Sequence, residues 1–420
     1  MKLNKLFIDF SWNYVSFAIL ASSGVLINLL IAYFYSSEGL GVFNQTYAIF
    51  VIFSQFSVFG IHYSVLKVSS ETKPNSLESK QILLSGLCSV LFLSSLVALI
   101  LYFLSSPISI LFDSPNIQKT LIIVAPALIL ISVNKVLLSF LNGQENLKQF
   151  AIGNIIRYVF MLISLFALIA YQAKIHQLAY IFLISELVVS TYSLFILKNF
   201  FQVYDFKKLV SMSVDHARFG FKALLSGLSV ELNSRVDVVI LGVFVGDSVV
   251  GVYSFFSMFA EGMYNIFVVF KNIFNPKITK FIRDQNLIGL RGLILYLQKI
   301  IYPLSFLIVI VISSIVYTIV FYLPDSQIYL DNFLILLILL ASIFFISGFI
   351  PFELILTLGG KPGLQSLQTT STLFFNIVLN ILLVPIYFGL GASFATGLSY
   401  IFGMILLQVF SLRSIGIRII

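Results

Sequence analysis

Long apolar stretches, broken by glycine, proline, asparagine and charged residues, dominate this 420-residue chain. An α-helix needs about 20 predominantly apolar residues to cross a hydrocarbon layer of about 30 Å. The apolar stretches and their breaks predict twelve such helices, at residues 12–35, 43–66, 82–105, 117–140, 150–171, 178–200, 219–245, 252–275, 299–323, 333–358, 366–388 and 392–412. The pattern predicts an all-α integral membrane protein.

Composition strengthens this prediction. Hydrophobic residues make up 59% of the chain and charged residues only 10%, whereas soluble domains contain about 25% charged residues. Such a chain cannot cover its surface with polar groups, which excludes a soluble enzyme, a nucleic-acid-binding domain and a disordered scaffold. The single cysteine, Cys88, excludes a disulfide framework.

The net charge of +8 follows the predicted loops. Of the 25 Lys and Arg residues, only Lys119 and Lys174 lie in odd-numbered loops, and Lys135, Arg157 and Arg235 lie within spans. The remaining 20 lie at the N-terminus, in even-numbered loops or at the helix ends beside them. Cationic loops stay in the cytoplasm. We therefore expect both termini to be cytoplasmic, and we expect no nucleic-acid partner.

A weak internal repeat indicates two halves. Gly41-Val42-Phe43 follows the first predicted span, and Gly251-Val252-Tyr253 follows the seventh at an offset of half the chain length. Six spans per half would return the chain to the same side of the membrane, as in transporters built from parallel repeats. We predict two pseudo-symmetric six-helix lobes, at residues 1–205 and 206–420.

Two cations inside the first predicted lobe suggest an anionic ligand. Lys135 and Arg157 lie about 10 Å from the cytoplasmic ends of consecutive spans at 1.5 Å per residue, and neither span contains a carboxylate. A diphosphate would accept charge-assisted hydrogen bonds from both cations, and Arg157 could bind it with two N–H groups. The alternative is that both side chains extend to the membrane interface.

Span seven has charges on two faces. Glu231 and Arg235, four residues apart, share one face and could pair, whereas Asp237 lies near the opposite face. Arg235 and Glu261 are at matched depths in spans seven and eight, so a pair between them is also expected. These charges predict either a structural salt bridge or a gating or proton-coupling role.

Three further positions in the spans are candidates. Glu186 is isolated in span six and would be a protonated acid in a proton path or a hydrogen-bonded group in the helix bundle. Asn376 and Asn380 share a face of span eleven and would bond either sugar hydroxyls or a neighbouring helix. Glu353 lies near a cytoplasmic helix end, where a structural role is expected.

Catalytic signatures are missing from the sequence. His62, His176 and His216 fall at an inner helix end, an outer loop and an inner loop, too dispersed for a metal triad or a catalytic relay. No phosphate-binding loop, nucleophile elbow or zinc-protease string occurs. The expected protein is therefore not an enzyme and needs neither a cofactor nor a metal.

Three strings resemble one family. They are Tyr35-Ser-Ser-Glu38-Gly-Leu-Gly41-Val-Phe43, then Arg235-Val-Asp237-Val-Val-Ile-Leu-Gly242 with Val250-Gly251-Val-Tyr253, and finally Leu379-Asn380-Ile-Leu-Leu-Val-Pro385 with Gly389-Leu-Gly391-Ala392-Ser-Phe-Ala395-Thr396. With twelve spans in two halves, they resemble the polysaccharide repeat-unit flippases of the O-antigen type. That family lies within the multidrug, oligosaccharidyl-lipid and polysaccharide exporter superfamily.

The resemblance implies a cargo and a location. The cargo would be an undecaprenyl-diphosphate-linked oligosaccharide, moved by alternating access across a bacterial inner membrane for surface polysaccharide or lipopolysaccharide synthesis. Arg157, Arg235, Lys135 and Asn380 would bind it, and Glu231, Asp237, Glu261 and Glu186 would form charge pairs or respond to protons. Partners would include membrane lipid, a polysaccharide polymerase and a chain-length regulator.

Two other functions remain open from the sequence. A drug or organic-cation antiporter of the same fold would have an acidic, aromatic binding site. A membrane-integral polysaccharide polymerase or ligase would usually have a larger outer loop with basic residues, which is missing here.

Overall fold

The structure, a computed structural model, describes residues 2–74, 76–201 and 205–419. That part of the chain contains α-helices, short 3₁₀ turns and no strand. The α-helices are α1 Lys2–Val58, α2 Ile61–Ser70, α3 Leu77–Leu111, α4 Pro115–Gly143, α5 Leu147–Ala170, α6 Tyr180–Ile196, α7 Phe206–Phe244, α8 Asp247–Arg283, α9 Leu287–Phe321, α10 Ser326–Asp331, α11 Leu334–Ile346, α12 Ile355–Leu358 and α13 Pro362–Ile415.

Eight of these helices in the described residues are long and apolar enough to cross a membrane, and the bent pair of α11 with residues 350–358 makes a ninth. Helices α1 and α13, at 57 and 54 residues, are each far longer than one span. Dividing both at their kinks and adding the more polar α7 gives twelve segments. The prediction of an all-α membrane protein with about twelve helices is confirmed.

Both kinks occur where the sequence predicted turns. Ser36 interrupts α1 at φ 63°, ψ −178°, and Phe388 interrupts α13 at φ 52°, ψ −128°. Residues other than glycine adopt positive φ only at a steric cost. Each kink therefore ends one span and begins the next without a long loop.

The chain divides into two compact units. The first unit contains residues 1–35 and 42–235, and the second contains residues 36–41 and 236–420. The predicted lobe boundary between residues 205 and 206 stays a prediction; the two units divide within α7, between Arg235 and Val236.

The first unit has an apolar core built mainly from α2, α3 and α4. Its fully buried side chains include Ile61, Val65, Ile82, Val136 and Phe140. Such burial contributes about 1.5–3 kcal/mol for each large aliphatic side chain. The core holds α4 in place, and α4 carries one of the predicted site residues, Lys135.

A close backbone approach places α7 against the break between α1 and α2. Gly60 adopts φ 69° at this break, and a Cβ on Gly220 of α7 would overlap the carbonyl oxygen of Phe59. Only glycine allows the two backbones to come this close. The contact positions the next turns of α7, with Gly227 and Glu231, beside α1 and α2.

Candidate functional site

A buried ion pair between α5 and α6 is the centre of the polar residues in the first unit. Arg157 Nε donates to Glu186 Oε1 at 2.7 Å, and Arg157 Nη2 donates to Oε2 at 3.3 Å. Nη1 donates to Asn154 Oδ1 at 3.1 Å. The exposed fractions of the two charged side chains are 17% and 3%. The prediction that Glu186 is isolated is therefore wrong, because its partner comes from the adjacent helix.

Asn134 of α4 holds the same carboxylate. Its Nδ2 donates to Glu186 Oε2 at 2.7 Å and to the Glu186 carbonyl oxygen at 2.8 Å, and its Oδ1 accepts from Ser190 Oγ at 2.9 Å. Asn134 is fully buried. A buried polar group needs such partners, because an unpaired one costs about 1–3 kcal/mol. The chain of bonds fixes the orientation of Glu186.

Lys135, next to Asn134, points to α1. Its Nζ donates to Ser54 Oγ at 2.9 Å. It lies within electrostatic reach of Glu231, Arg157 and Glu186. The structure thus brings Lys135 and Arg157 into one charged neighbourhood, as their matched depths predicted.

Helix α7 contributes the remaining charges of this neighbourhood. Glu231 Oε1 accepts from Gln55 Nε2 of α1 at 3.3 Å. The Arg235 guanidinium carbon lies 5.0 Å from the centre of the Tyr47 ring, which is cation–π geometry. The predicted pair of Glu231 with Arg235 stays a prediction.

We call Lys135, Arg157, Glu186, Glu231 and Arg235 the first-unit charge cluster. Three cations and two carboxylates carry a formal net charge of +1 when all are ionised. Each charge within a membrane span costs about 2.5–3.5 kcal/mol on insertion scales. A cluster with surplus positive charge is therefore suited to an anionic group.

Arg157 also retains binding capacity. A guanidinium has five N–H donors, and the bonds to Glu186 and Asn154 use three of them. These bonds leave the other two N–H groups unused. Arginine is well suited to this double role, because its donors have a fixed planar geometry.

The second unit has carboxylates paired with tyrosines. The Tyr253 hydroxyl donates to Asp237 Oδ2 and lies 3.4 Å from Thr396 Oγ1. The Tyr264 hydroxyl donates to Glu353 Oε1 at 3.0 Å, and Lys271 Nζ pairs with Glu353 Oε2 at 2.7 Å. The Lys271 pair agrees with the structural role expected for Glu353.

Glu261 and Tyr400 lie near these pairs in the second unit. The Tyr400 ring stacks on Tyr264 with centroids 6.3 Å apart and is within electrostatic reach of Glu261, Asp237 and Glu353. Glu261 is exposed on α8. The predicted pair of Glu261 with Arg235 stays a prediction, since the two residues belong to different units.

The two asparagines of α13 bond to each other. Asn380 Nδ2 donates to Asn376 Oδ1 at 2.7 Å and to its carbonyl oxygen at 3.0 Å. Both are buried, and within the described residues Asn380 Oδ1 has no hydrogen-bond partner. The two share a helix face, as their spacing predicted, but the proposed contact of Asn380 with sugar stays a prediction.

The histidines occupy separate places. His216 bridges Ser64 Oγ at 2.8 Å and Ser85 Oγ at 3.1 Å, which fastens α7 to α2 and α3. The His62 ring contacts Tyr63, with centroids 3.9 Å apart. Among the described residues, no three His, Cys, Asp or Glu side chains are arranged to hold a metal ion.

The first unit also contains a cavity of about 420 Å³ at the ends of α3, α4 and α5. Lys80, Gln144, Asn146 and Asn199 provide its polar lining. None of the predicted site residues lines it. The charge cluster and this cavity are therefore separate features.

Sequence reasoning missed several partners of the predicted residues. Asn154 could have been found, because its spacing of three from Arg157 places both on one helix face. Asn134, Gln55 and Tyr47 gave no such signal, since each contacts a residue on a distant helix.

Comparison with protein families finds a match to the family described as "Polysaccharide biosynthesis protein", over residues 9–281. Among the curated proteins no match is found.

Solved structures are similar over nearly the whole chain. A lipid II flippase MurJ in an inward closed conformation matches with a TM-score of 0.74 at 16% identity, covering 97% of this chain and 87% of that one. An inward-facing multidrug resistance transporter of the MATE family matches with a TM-score of 0.68 at 13% identity, covering 93% and 94%. A Vibrio cholerae MATE transporter matches with a TM-score of 0.55 at 16% identity, covering 98% and 97%.

These likenesses show a shared fold. The chain is a multi-pass membrane protein whose fold is that of flippases and multidrug transporters. The structural relatives are transport proteins, in agreement with the prediction that the chain is not an enzyme.

Proposed function

This chain belongs to the polysaccharide biosynthesis protein family, and from that premise we propose that it is a flippase for an undecaprenyl-diphosphate-linked oligosaccharide. It moves this lipid across a bacterial inner membrane by alternating access, for O-antigen or another surface polysaccharide. Both termini lie in the cytoplasm.

The observation that carries the proposal is the first-unit charge cluster. A diphosphate linked to lipid and sugar carries about two negative charges, which hydrocarbon does not solvate. Arg157 retains two N–H donors, and Lys135 and Arg235 add positive charge to the same unit. Charge-assisted hydrogen bonds to phosphate oxygens are among the strongest available to a protein.

The rest of the cargo needs different surroundings. Sugar hydroxyls require a hydrated, hydrogen-bonding path, whereas the polyprenyl chain is stable in lipid. Membrane lipid is therefore a direct partner of the transporter. A polysaccharide polymerase would use the flipped repeat unit, and a chain-length regulator would act with that polymerase.

Loss of the cations tests the proposal. Arg157→Ala and Arg235→Ala, each at normal membrane levels, should abolish surface polysaccharide in cells that depend on this protein. Lys174→Ala, which removes a cation from a predicted outer loop, is the matched control and should leave the polysaccharide unchanged. Wild-type polysaccharide from both arginine variants would contradict the proposal.

The second unit favours one alternative, an organic-cation antiporter. Asp237 and Glu353 each accept a hydrogen bond from a tyrosine, and Tyr264 and Tyr400 stack nearby. Carboxylates with aromatic rings are the groups that bind organic cations. Overexpression would then raise resistance to cationic dyes, and Asp237→Asn would remove that resistance. An unchanged dye sensitivity on overexpression excludes this alternative.

A further inference from the structure

A small polar recess lies where α7 faces the break between α1 and α2. Gly227 of α7 is buried there, opposite Gln55 of α1 and Tyr63 of α2. A Cβ built on Gly227 would lie 3.1 Å from Gln55 Oε1 and 3.7 Å from the Tyr63 hydroxyl. The missing side chain at residue 227 therefore allows an amide and a phenol to converge on α7.

Glu231, one turn beyond Gly227 on α7, completes the recess. Gln55 Nε2 donates to Glu231 Oε1 at 3.3 Å. An ionised carboxylate can accept about four hydrogen bonds, so this bond leaves most of its capacity for a ligand. Three different elements thus contribute one amide, one phenol and one carboxylate to the same place.

The functional groups in the recess match a carbohydrate better than a phosphate. Within the charge cluster Glu231 is unsuited to contact a phosphate directly, because a phosphate needs donors and a carboxylate repels it. Sugar hydroxyls both donate and accept, which suits a carboxylate, a carboxamide and a phenol together. Tyr63 is 40% exposed and Gln55 is 7% exposed. The Tyr63 side chain is therefore accessible to a ligand, and the Gln55 amide is fixed by the packing around it.

The recess adjoins the part of the unit that we propose binds diphosphate. Gln55 directly follows Ser54, whose hydroxyl accepts from Lys135 Nζ at 2.9 Å. His62, next to Tyr63 in the chain, is within electrostatic reach of Lys135. In a lipid-linked oligosaccharide the first sugar is bonded directly to the diphosphate, so its subsite must adjoin the cations.

We propose that Gln55, Tyr63 and Glu231, arranged around Gly227, form the subsite that hydrogen-bonds the first sugar of the lipid-linked substrate. This inference rests on the proposed flippase function and extends it to sugar recognition. Gly227 is a specificity-determining residue, because a side chain there would push the Gln55 amide and the Tyr63 phenol away from α7.

The test compares binding of two lipids by the full-length protein in lipid nanodiscs. One is undecaprenyl diphosphate, and the other is the same lipid carrying a single sugar, offered as N-acetylglucosamine, glucose or galactose. The wild-type protein should bind at least one sugar-bearing lipid about tenfold more tightly than the bare diphosphate, equivalent to about 1.4 kcal/mol.

Substitutions in the recess distinguish its contribution to lipid binding from that of the cations. Gly227→Val, Gln55→Leu and Tyr63→Phe should each reduce the affinity for the sugar-bearing lipid to that for the bare diphosphate. Their affinity for the bare diphosphate should stay within about twofold of wild type. Gly262→Val is the matched control, since a Cβ there meets no heavy atom within 4 Å, and it should keep the tenfold preference.

The outcomes distinguish the two proposals. A wild-type protein that binds bare and sugar-bearing lipids equally tightly overturns the sugar subsite and leaves the flippase proposal intact. Binding of neither lipid overturns the flippase proposal itself. Tyr63→Phe removes a single oxygen atom. If it lowers the affinity for both lipids equally, the sugar subsite is also overturned.

Discussion

Arg157 and Glu186 form a buried ion pair to which we assign both a structural and a functional role. Bringing two charges out of water costs several kcal/mol per ion, which the pair regains only with good geometry and further hydrogen bonds. Here Asn134 and Asn154 supply those bonds. Because these bonds leave two guanidinium donors unused, we propose that Arg157 binds an anion while Glu186 holds it in position.

Variants of this pair separate its two roles. Arg157→Met alone or Glu186→Leu alone leaves one buried charge unpaired, and each should lower the free energy of unfolding by about 3–5 kcal/mol. The double variant Arg157→Met/Glu186→Leu removes both charges and should regain most of the lost thermal stability. Thermal unfolding of the purified proteins in detergent measures the stability.

Transport by the double variant then decides the functional role. Without the guanidinium we expect at least a hundredfold loss of lipid translocation, since charge-assisted bonds to the diphosphate are lost. A double variant that is stable and translocates lipid at the wild-type rate would show that the pair serves only to hold α5 against α6.

The sequence could identify the charged residues but not most of their partners. Lys135, Arg157 and Glu186 stand out because charges within apolar stretches are rare. Pairing Glu186 with Arg157 requires the arrangement of α5 and α6, which hydropathy does not contain. Tyr253 belongs to the repeated Gly251-Val252-Tyr253 string, but nothing in that string predicts its hydrogen bond to Asp237.

At the scale of elements, the sequence predicted the positions of the spans well and the breaks within them poorly. Each predicted span lies mostly in helix, because burying apolar residues in lipid requires the backbone to bond internally. Two spans are broken, however: residues 43–66 at Phe59-Gly60, and residues 333–358 at a bend of 55°. The sequence predicted turns at Ser36 and Phe388 but could not predict that each is a single-residue kink with positive φ.

The two glycines of the sequence repeat, Gly41 and Gly251, lie at a close backbone contact within the second unit. A Cβ on Gly41 would overlap the carbonyl oxygen of Asp247, and a Cβ on Gly251 would overlap that of Ser37. The hydroxyls of Ser37 and Ser248 are 2.6 Å apart beside this contact. The two glycines thus allow the segment after the Ser36 kink to meet the first turns of α8.

Alanine at these glycines should break that contact. Gly41→Ala and Gly251→Ala force backbone to move rather than a flexible side chain, so each should cost at least about 1–3 kcal/mol of stability and reduce the yield of folded protein. Gly262→Ala on the same helix as Gly251 should have little effect, since it meets open space. Size-exclusion profiles and thermal unfolding report both effects, and an unchanged Gly41→Ala protein would contradict the close contact.

At the scale of the whole molecule, the distribution of charge predicts orientation. Twenty of the 25 cations lie at the N-terminus, in predicted inner loops or at the helix ends beside them, whereas Lys119 and Lys174 are the only ones assigned to predicted outer loops. We expect this imbalance to place both termini in the cytoplasm, because the translocation machinery retains cationic loops there.

Fusions to reporter proteins test this topology. Alkaline phosphatase fused after residue 172 should be active, because that loop is predicted to lie outside the cytoplasm. The same enzyme fused after residue 285 or at the C-terminus should be inactive, whereas a green fluorescent protein there should fluoresce. Active phosphatase at the C-terminus would contradict the predicted orientation.

We propose that the first-unit charge cluster recognises an anionic lipid headgroup. Its most direct test measures the affinity of the purified protein for undecaprenyl diphosphate and for undecaprenol, which has the same chain and no charge. The wild-type protein should bind the diphosphate at least tenfold more tightly, and Arg157→Met/Glu186→Leu should lose that preference. Equal affinity of the wild-type protein for the two lipids would contradict the claim.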